Sequence, residues 1–239
     1  MLDRGETRVQ PNGRGRQGRA RHALTRWRAV SLLAIFALLV FAAPTGAAGD
    51  PTASSADDCA QGATCQTVDG CVIQPGARCP GADLAQADFN HSDLTGVILP
   101  RADLRGAKLV GAKVGQAVLT RADLGGARME EVVLTETELP GSNLTLTDLS
   151  HANLNRANLI GAELRAAYLG DATLVGANLT RATLIFANLT RADLTGADLT
   201  NVDLTESNLT NAKLRDAKLS GAIFCHTKMP DRSINNSGC

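Results

Sequence analysis

A large apolar residue recurs at every fifth position of this chain, without a break, from Leu84 to Met229. Of the 30 positions in this register 25 are Leu, and the residue two places earlier is Ala in 21 of them. A period of five matches neither the 3.6-residue turn of an α-helix nor the alternation of a β-strand. A fixed short period predicts a solenoid, in which each repeat is buried only by its neighbours.

The units themselves resemble the pentapeptide-repeat family, whose consensus is A-(D/N)-L-x-x. Residues 192–196 (ADLTG) and 197–201 (ADLTN) are examples, and the resemblance covers 30 units, or 150 residues. It implies an all-β fold, a right-handed quadrilateral parallel β-helix with four units per coil and therefore about 7.5 coils. The leucine and alanine of each unit are then expected to point inward and the other three residues outward.

Such a coil has an ample core but two open ends. Burying each leucine contributes roughly 1.5–3 kcal/mol, whereas an uncovered end exposes unpaired backbone groups. We therefore assign the β-helix to residues 81–230, a cysteine-rich N-terminal cap to 59–80 and a C-terminal cap to 231–239. The residues around Phe224–Asp231 resemble an ending found on a subset of the family, in which glycine usually follows the aspartate; here Arg232 does.

The N-terminal 48 residues have the charge order of an export signal. Residues 1–28 contain eight arginines, and Ala29–Ala43 is apolar except for Ser31. This order predicts a signal peptide, or alternatively an uncleaved membrane anchor, over 1–48, followed by a linker over 49–58. Either arrangement places the repeat outside the cytoplasmic membrane, in the cell envelope or secreted.

The six cysteines lie in two groups, one on each side of the repeat. An even number in an exported chain predicts disulfides. The two groups are separated by a solenoid roughly 35 Å long, and a disulfide requires Cα atoms within roughly 7 Å. Cys225 is therefore expected to pair with Cys239, and the other four to pair among themselves in one of three ways. Zinc is the alternative for these four, although their spacing lacks the close pair typical of structural zinc sites; they are Cys59, Cys65, Cys71 and Cys79.

The outward positions contain no clear catalytic set. Residues 20 apart are expected to stack, which aligns one mostly acidic column next to a corner that carries Arg101, Arg121 and Arg181. A calcium site needs six to eight converging oxygens, so we interpret the acids as solvated consensus residues that bond to turns. The column contains Asp83, Asp103, Asp123, Asn143, Glu163, Thr183 and Asp203.

The histidines do not converge either, because His91 and His151 fall three coils apart and His226 belongs to the cap. The sequence therefore predicts a protein that is not an enzyme, with no catalytic residues, no metal site and no cofactor.

Four apolar residues occupy outward positions near one corner, within about two coils of one another. A contiguous apolar patch on a surface is typical of a contact site. The candidate interaction patch consists of Leu146, Tyr168, Ile185 and Phe186. Its partner is unknown: another protein, an envelope component or a second copy of the chain.

We therefore expect an exported, non-enzymatic scaffold or interaction protein, which meets the membrane only through the N-terminal apolar segment if that segment is retained. One alternative comes from a branch of the family that binds DNA gyrase by imitating DNA with an acidic rod. Residues 81–230 contain 14 basic and 17 acidic residues, which does not favour this alternative or a nucleic-acid partner. A second alternative is an envelope carbohydrate-binding or hydrolytic protein that uses the carboxylate column.

Overall fold

The computed structural model describes residues 66–68 and 70–239. Between residues 77 and 229 the chain winds so that residues 20 apart form parallel bridges, from Arg78↔Ile98 to Asn208↔Lys228. Each coil therefore contains four units of five residues. The predicted all-β fold, a right-handed quadrilateral parallel β-helix, is confirmed. None of the described residues belongs to a helix able to cross a membrane.

Hydrogen bonds between coils follow one pattern, shown here by the unit 142–146. The N–H of Asn143 donates to the carbonyl of Ala122 in the preceding coil, at 2.9 Å. The N–H groups of Leu144 and Leu146 donate to carbonyls of the following coil, at 2.7 and 2.9 Å. Three of the five backbone N–H groups in the unit thus join neighbouring coils, and no long strand is needed.

The other two N–H groups are satisfied within a turn. The first residue of the unit, Ser142, donates its N–H to the carbonyl of Leu139 at 3.1 Å. The fourth residue, Thr145, donates its N–H to Oδ1 of Asn143 at 3.0 Å. An aspartate or asparagine in the second place therefore stabilises the turn. Its side-chain oxygen accepts the N–H of the fourth residue, which makes no hydrogen bond between coils.

The core is a stack of leucine layers. Nearly all residues in the third place are buried, whereas Leu214, Leu219 and Met229 in the last coil are half-buried. An apolar cavity among the first coils has a volume of about 10 Å³. This is too small for any ligand larger than a water molecule.

The β-helix begins one unit earlier than the predicted boundary at residue 81. Ala77 and Cys79 are buried in the inward places, and Arg78 bridges to Ile98. The unit 77–81 escapes the sequence pattern because a cysteine, which is small and apolar, takes the place of leucine.

A short antiparallel hairpin lies at each end of the described β-helix. At the N-terminal end β1 (Gln66–Val68) pairs with β2 (Cys71–Ile73), and at the C-terminal end β3 (Thr227–Lys228) pairs with β4 (Ile234–Asn235). Gly238 then donates its N–H to the carbonyl of Phe224 at 2.8 Å. At the C-terminal end, Gly238 and the residues around β4 thus supply backbone partners where the ladder of coils stops.

Each hairpin is tied to the adjoining coil by a disulfide. Cys225 is bonded to Cys239 with Cα atoms 4.8 Å apart, the pairing expected from the sequence. Cys71 is bonded to Cys79 with Cα atoms 6.1 Å apart. The predicted export segment (1–48), the linker (49–58), Cys59 and Cys65 lie outside the described residues.

Candidate functional site

The mostly acidic column is occupied by turn hydrogen bonds. Asp83 accepts the N–H of Ala85 at 3.2 Å. Asp203 accepts both the N–H and the hydroxyl of Thr205, at 2.9 and 2.6 Å. The aspartates and the asparagine of this column therefore bond to the backbone of their own units.

Asp103 and Asp123, the neighbouring pair best placed for acid–base chemistry, are further held by a cation. The Nε of Arg105 donates to Asp103 at 2.8 Å and lies 3.8 Å from Oδ2 of Asp123. Asp123 also accepts an N–H of the Asn143 amide at 2.8 Å. The hydrogen bond from Arg105, with its charge, lowers the pKa of Asp103. A hydrolytic pair of carboxyls needs one with a raised pKa as its acid, and Asp103 does not fit that role because its pKa is lowered.

One group of potential metal ligands occurs in the described residues, at the C-terminal cap. Donor atoms of Cys225, His226 and Cys239 lie within 4.8 Å of one another. Both sulfurs are joined in the disulfide, however, and only a thiolate is a good metal ligand. His226 Nδ1 lies 3.6 Å from Sγ of Cys225, so the imidazole borders the disulfide.

The other two histidines among the described residues lie apart, because three 20-residue coils separate them. His91 and His151 occupy the same column, with one side chain packed over Gly111 and the other near Asp171. Arg191 pairs with Asp171 at 2.5 Å. These contacts give charge pairing along the column rather than a catalytic arrangement.

A shallow groove follows the corner that carries Arg101 and Arg121. Its walls are backbone and proline rings from successive coils, and Arg121 lies against Gly141. Neither arginine has an ion-pair partner among the described residues, because the nearby Asp103 and Asp123 are engaged by Arg105 and Asn143. Both arginines are exposed, so the chemistry of the groove is that of an ordinary charged surface.

The most apolar exposed surface lies at one corner of the β-helix. We call it the apolar corner and define it as Leu146, Ala166, Tyr168, Ile185 and Phe186. Leu146, Tyr168 and Phe186 are 59%, 50% and 57% exposed, and Ile185 is partly exposed. Leu146, Ala166 and Phe186 stack in one column over three consecutive coils, since their N–H groups each donate to the next coil. Other exposed apolar residues, such as Val133, Ile160 and Val175, fall in other columns.

Ala166 and the backbone of this corner were not apparent in the sequence. The fifth residue of each unit adopts positive φ, with Leu146 at 60°, Ala166 at 50° and Phe186 at 61°. This left-handed conformation favours glycine and tolerates polar residues better than bulky apolar ones. The only available signal was the family consensus, which leaves the fifth place unspecified.

Comparison with known proteins agrees with this architecture. The family model for pentapeptide repeats matches in eight copies that together span residues 75–225. The chain belongs to the pentapeptide-repeat family. A search of curated proteins gives no match.

Several solved structures are similar. HetL, a pentapeptide repeat protein involved in heterocyst differentiation regulation in the cyanobacterium Nostoc sp. strain PCC 7120, is 27% identical, with coverage of 67% of this chain and 90% of HetL and a TM-score of 0.46. QnrB1, a plasmid-mediated fluoroquinolone resistance protein, is 20% identical, with coverage of 66% and 86% and a TM-score of 0.32. A pentapeptide repeat protein of the Arabidopsis thaliana thylakoid lumen is 24% identical, with coverage of 52% and 68% and a TM-score of 0.27.

Proposed function

We propose that the protein is an exported, non-enzymatic scaffold of the cell envelope or extracellular space, which binds a partner through its apolar corner. The observation that carries this proposal is the exposed stack of Leu146, Ala166 and Phe186 on a rigid β-helix. A contiguous apolar surface of this kind is typical of a protein contact site.

The disulfides support a location outside the cytoplasm. Disulfides persist in oxidising surroundings and are rare in the cytoplasm, and the described residues contain one at each end of the repeat. The basic and apolar order of residues 1–48 is that of an export signal.

The site chemistry supports a binding role rather than catalysis. Asp103 is paired with Arg105 and has a lowered pKa, which makes this carboxyl a poor general acid. Cations also interrupt the acidic columns: Lys213 lies 2.9 Å from Asp193, and Lys218 lies 3.0 Å from Asp198. Such internal neutralisation favours a scaffold over imitation of a DNA polyanion.

Cell fractionation with N-terminal sequencing tests the proposal. We expect the protein in the envelope or the medium, with an N-terminus near residue 49 if the signal is cleaved or at residue 1 if it is an anchor. Recovery of all the protein from the cytosol with its N-terminus intact would contradict the proposal. We also expect that the protein does not change the supercoiling activity of DNA gyrase.

A further inference from the structure

The C-terminal cap brings three potential metal ligands together. Cys225 and His226 directly precede β3, and Cys239 follows β4, the strand that pairs with β3. The donor atoms of the three residues lie within 4.8 Å of one another, and Nδ1 of His226 lies 3.6 Å from Sγ of Cys225. His226 and Cys239 are exposed and Cys225 is half-buried, so solvent reaches this cluster.

We propose that the cluster binds Zn²⁺ when its disulfide is reduced, so that the ion and the Cys225–Cys239 bond are alternative ways to close the same cap. This inference goes beyond the proposed function, because it depends neither on the apolar corner nor on a partner. Two thiolates and one imidazole form a known zinc ligand set, in which water takes the fourth position of the tetrahedron.

The spacing of the ligands fits a tetrahedral zinc ion. Zn–S and Zn–N bonds of about 2.3 and 2.0 Å place the sulfur and the nitrogen roughly 3.5 Å apart, and the separation of Cys225 Sγ from His226 Nδ1 is 3.6 Å. The two sulfurs of such a site are roughly 3.8 Å apart, so the disulfide must open before the ion enters. Rotation of the two side chains supplies this separation, because their Cα atoms are only 4.8 Å apart.

Backbone hydrogen bonds hold the ligands together without the disulfide. Gly238 donates its N–H to the carbonyl of Phe224 at 2.8 Å, which joins the residues that directly precede the two cysteines. His226 donates its N–H to Oδ1 of Asn236 at 2.9 Å. Reduction therefore leaves the two sulfurs and the imidazole close together, and this preorganisation lowers the entropic cost of binding the ion.

The exchange between disulfide and zinc balances with a thiol as the only co-reactant. Two thiol molecules reduce the Cys225–Cys239 bond to two cysteine thiols and are themselves oxidised to a disulfide. The two cysteine thiols then release their protons to water as Zn²⁺ binds. Oxidation of the thiolates removes two of the three ligands and releases the ion. Zinc therefore closes the cap before oxidation, and the disulfide closes it afterwards.

Zinc binding by the full protein, reduced with a phosphine in the absence of oxygen, tests the inference. Reduction also frees Cys71 and Cys79, so the double variant Cys225→Ser with Cys239→Ser gives the background. We expect the reduced parent to bind one more Zn²⁺ per chain than the reduced variant, and the two to bind equal amounts when oxidised. Equal zinc content of the reduced parent and the reduced variant would overturn the inference.

His226→Asn tests the contribution of the imidazole. Asparagine occupies the same turn position at Asn201 and Asn211, with φ of 57° and 60° against 52° at His226, so this variant should fold. It should bind zinc at least about tenfold more weakly, since loss of an outer-shell partner alone costs about 10–100-fold. With Co²⁺ as the probe, the thiolate-to-metal charge-transfer absorption should remain while the ligand-field bands shift.

His151→Asn is the matched control, because His151 occupies the same turn position with φ of 60°. This variant should bind zinc like the parent. Hydrogen–deuterium exchange of residues 227–239 in the reduced parent should slow when zinc is added, which separates loss of a ligand from loss of the fold. Unchanged exchange, or a His226→Asn variant that binds zinc as tightly as the parent, would overturn the inference. The localisation test of the proposed function is independent of all these results.

Discussion

A single side-chain oxygen explains why this chain repeats aspartate and asparagine so often. Asp193 and Asp198 each accept the N–H of the threonine two residues later, at 3.1 Å. That N–H is one of the two in each unit that make no bond between coils, and the other donates to a backbone carbonyl, as Ala192 does to Leu189. The acidic appearance of the surface is therefore a consequence of turn formation rather than evidence of an acidic binding site.

Two serines in the first place of their units test the cost of burying a hydroxyl group without a hydrogen-bond partner. Ser142 and Ser207 both replace the usual alanine and are fully or almost fully buried. Ser142 donates its hydroxyl to the carbonyl of Leu139 at 2.8 Å, whereas the hydroxyl of Ser207 has no partner. Because an unsatisfied buried hydroxyl costs about 1–3 kcal/mol, we expect Ser207→Ala to raise the free energy of unfolding by about 1 kcal/mol.

Urea unfolding measures this, with Ser142→Ala as the matched control. Ser142→Ala removes a hydrogen bond that is made, so its unfolding midpoint should not rise. Equal midpoints for both variants would show that Ser207 is satisfied in solution.

Two glycines, the exposed Gly196 and the half-buried Gly170, separate the effect of backbone conformation on stability from that of packing. Gly196 has φ of 66° and no atom within 4 Å of an added Cβ, whereas Gly170 lies outside the left-handed region and meets only Thr190 O at 3.9 Å. Gly196→Ala should lower the free energy of unfolding by about 0.5–1 kcal/mol, because left-handed strain exceeds the entropy gained from the unfolded chain. Gly170→Ala should raise it by about 0.4–1 kcal/mol. Chemical unfolding of the pair checks the sign, and a gain at Gly196 would contradict the turn geometry.

At the scale of the coil, most of the architecture is predictable because one residue type repeats in one register. The third-place leucine gives the five-residue period, and bridges 20 residues apart confirm four units per coil. The unit 77–81 was missed because Cys79 breaks the leucine pattern without breaking the packing. Arg232 adopts φ of 69° in the cap, where the family usually has glycine; this shows that tertiary contacts can override a local preference.

The apolar corner was only partly predictable, because the sequence shows which residues stack but not their backbone conformation. Stacking at 20 residues brings Leu146, Tyr168 and Phe186 onto neighbouring coils, which the sequence allows one to count. It does not reveal φ, so the shared left-handed conformation of Leu146, Ala166 and Phe186 emerges only from the structure.

Acid should lower the stability of the β-helix by protonating Asp193 and Asp198, which pair with lysines of the next coil. Hydrogen bonds from Thr195 and Lys213 lower the pKa of Asp193 from 3.8 to about 2, and Thr200 and Lys218 do the same for Asp198. A carboxyl with a lower pKa in the folded state stabilises the fold above its unfolded pKa, and this stabilisation disappears as pH falls through the folded pKa. We therefore expect a loss of stability between about pH 4 and pH 2.

The double variant Asp193→Asn with Asp198→Asn provides the comparison. Asparagine still accepts the turn N–H, as Asn188 and Asn208 do, but it does not titrate. Its urea midpoint should fall less than that of the parent between pH 4 and pH 2. An identical fall would place the acid sensitivity elsewhere.

At the scale of the whole β-helix, stability depends on what covers the ends. Each coil is buried only by its neighbours, and the last coil is the least covered, with Leu214 and Leu219 half-buried. The Cys225–Cys239 disulfide therefore holds the cap over the weakest part of the core.

Replacing both cysteines by serine should lower the free energy of unfolding by about 3 kcal/mol for a loop of about 15 residues. Hydrogen–deuterium exchange should rise first in residues 197–239 and remain slow in residues 97–136, because opening spreads from the uncovered end. A uniform rise along the whole repeat would contradict control by the cap.

The most direct test of the central claim, that this is an exported scaffold closed by disulfides, is thiol labelling of the protein in intact cells followed by mass spectrometry of each cell fraction. We predict that the protein in the envelope or medium takes up label at Cys71, Cys79, Cys225 and Cys239 only after reduction. Protein found in the cytosol with these four thiols labelled before reduction would contradict the account.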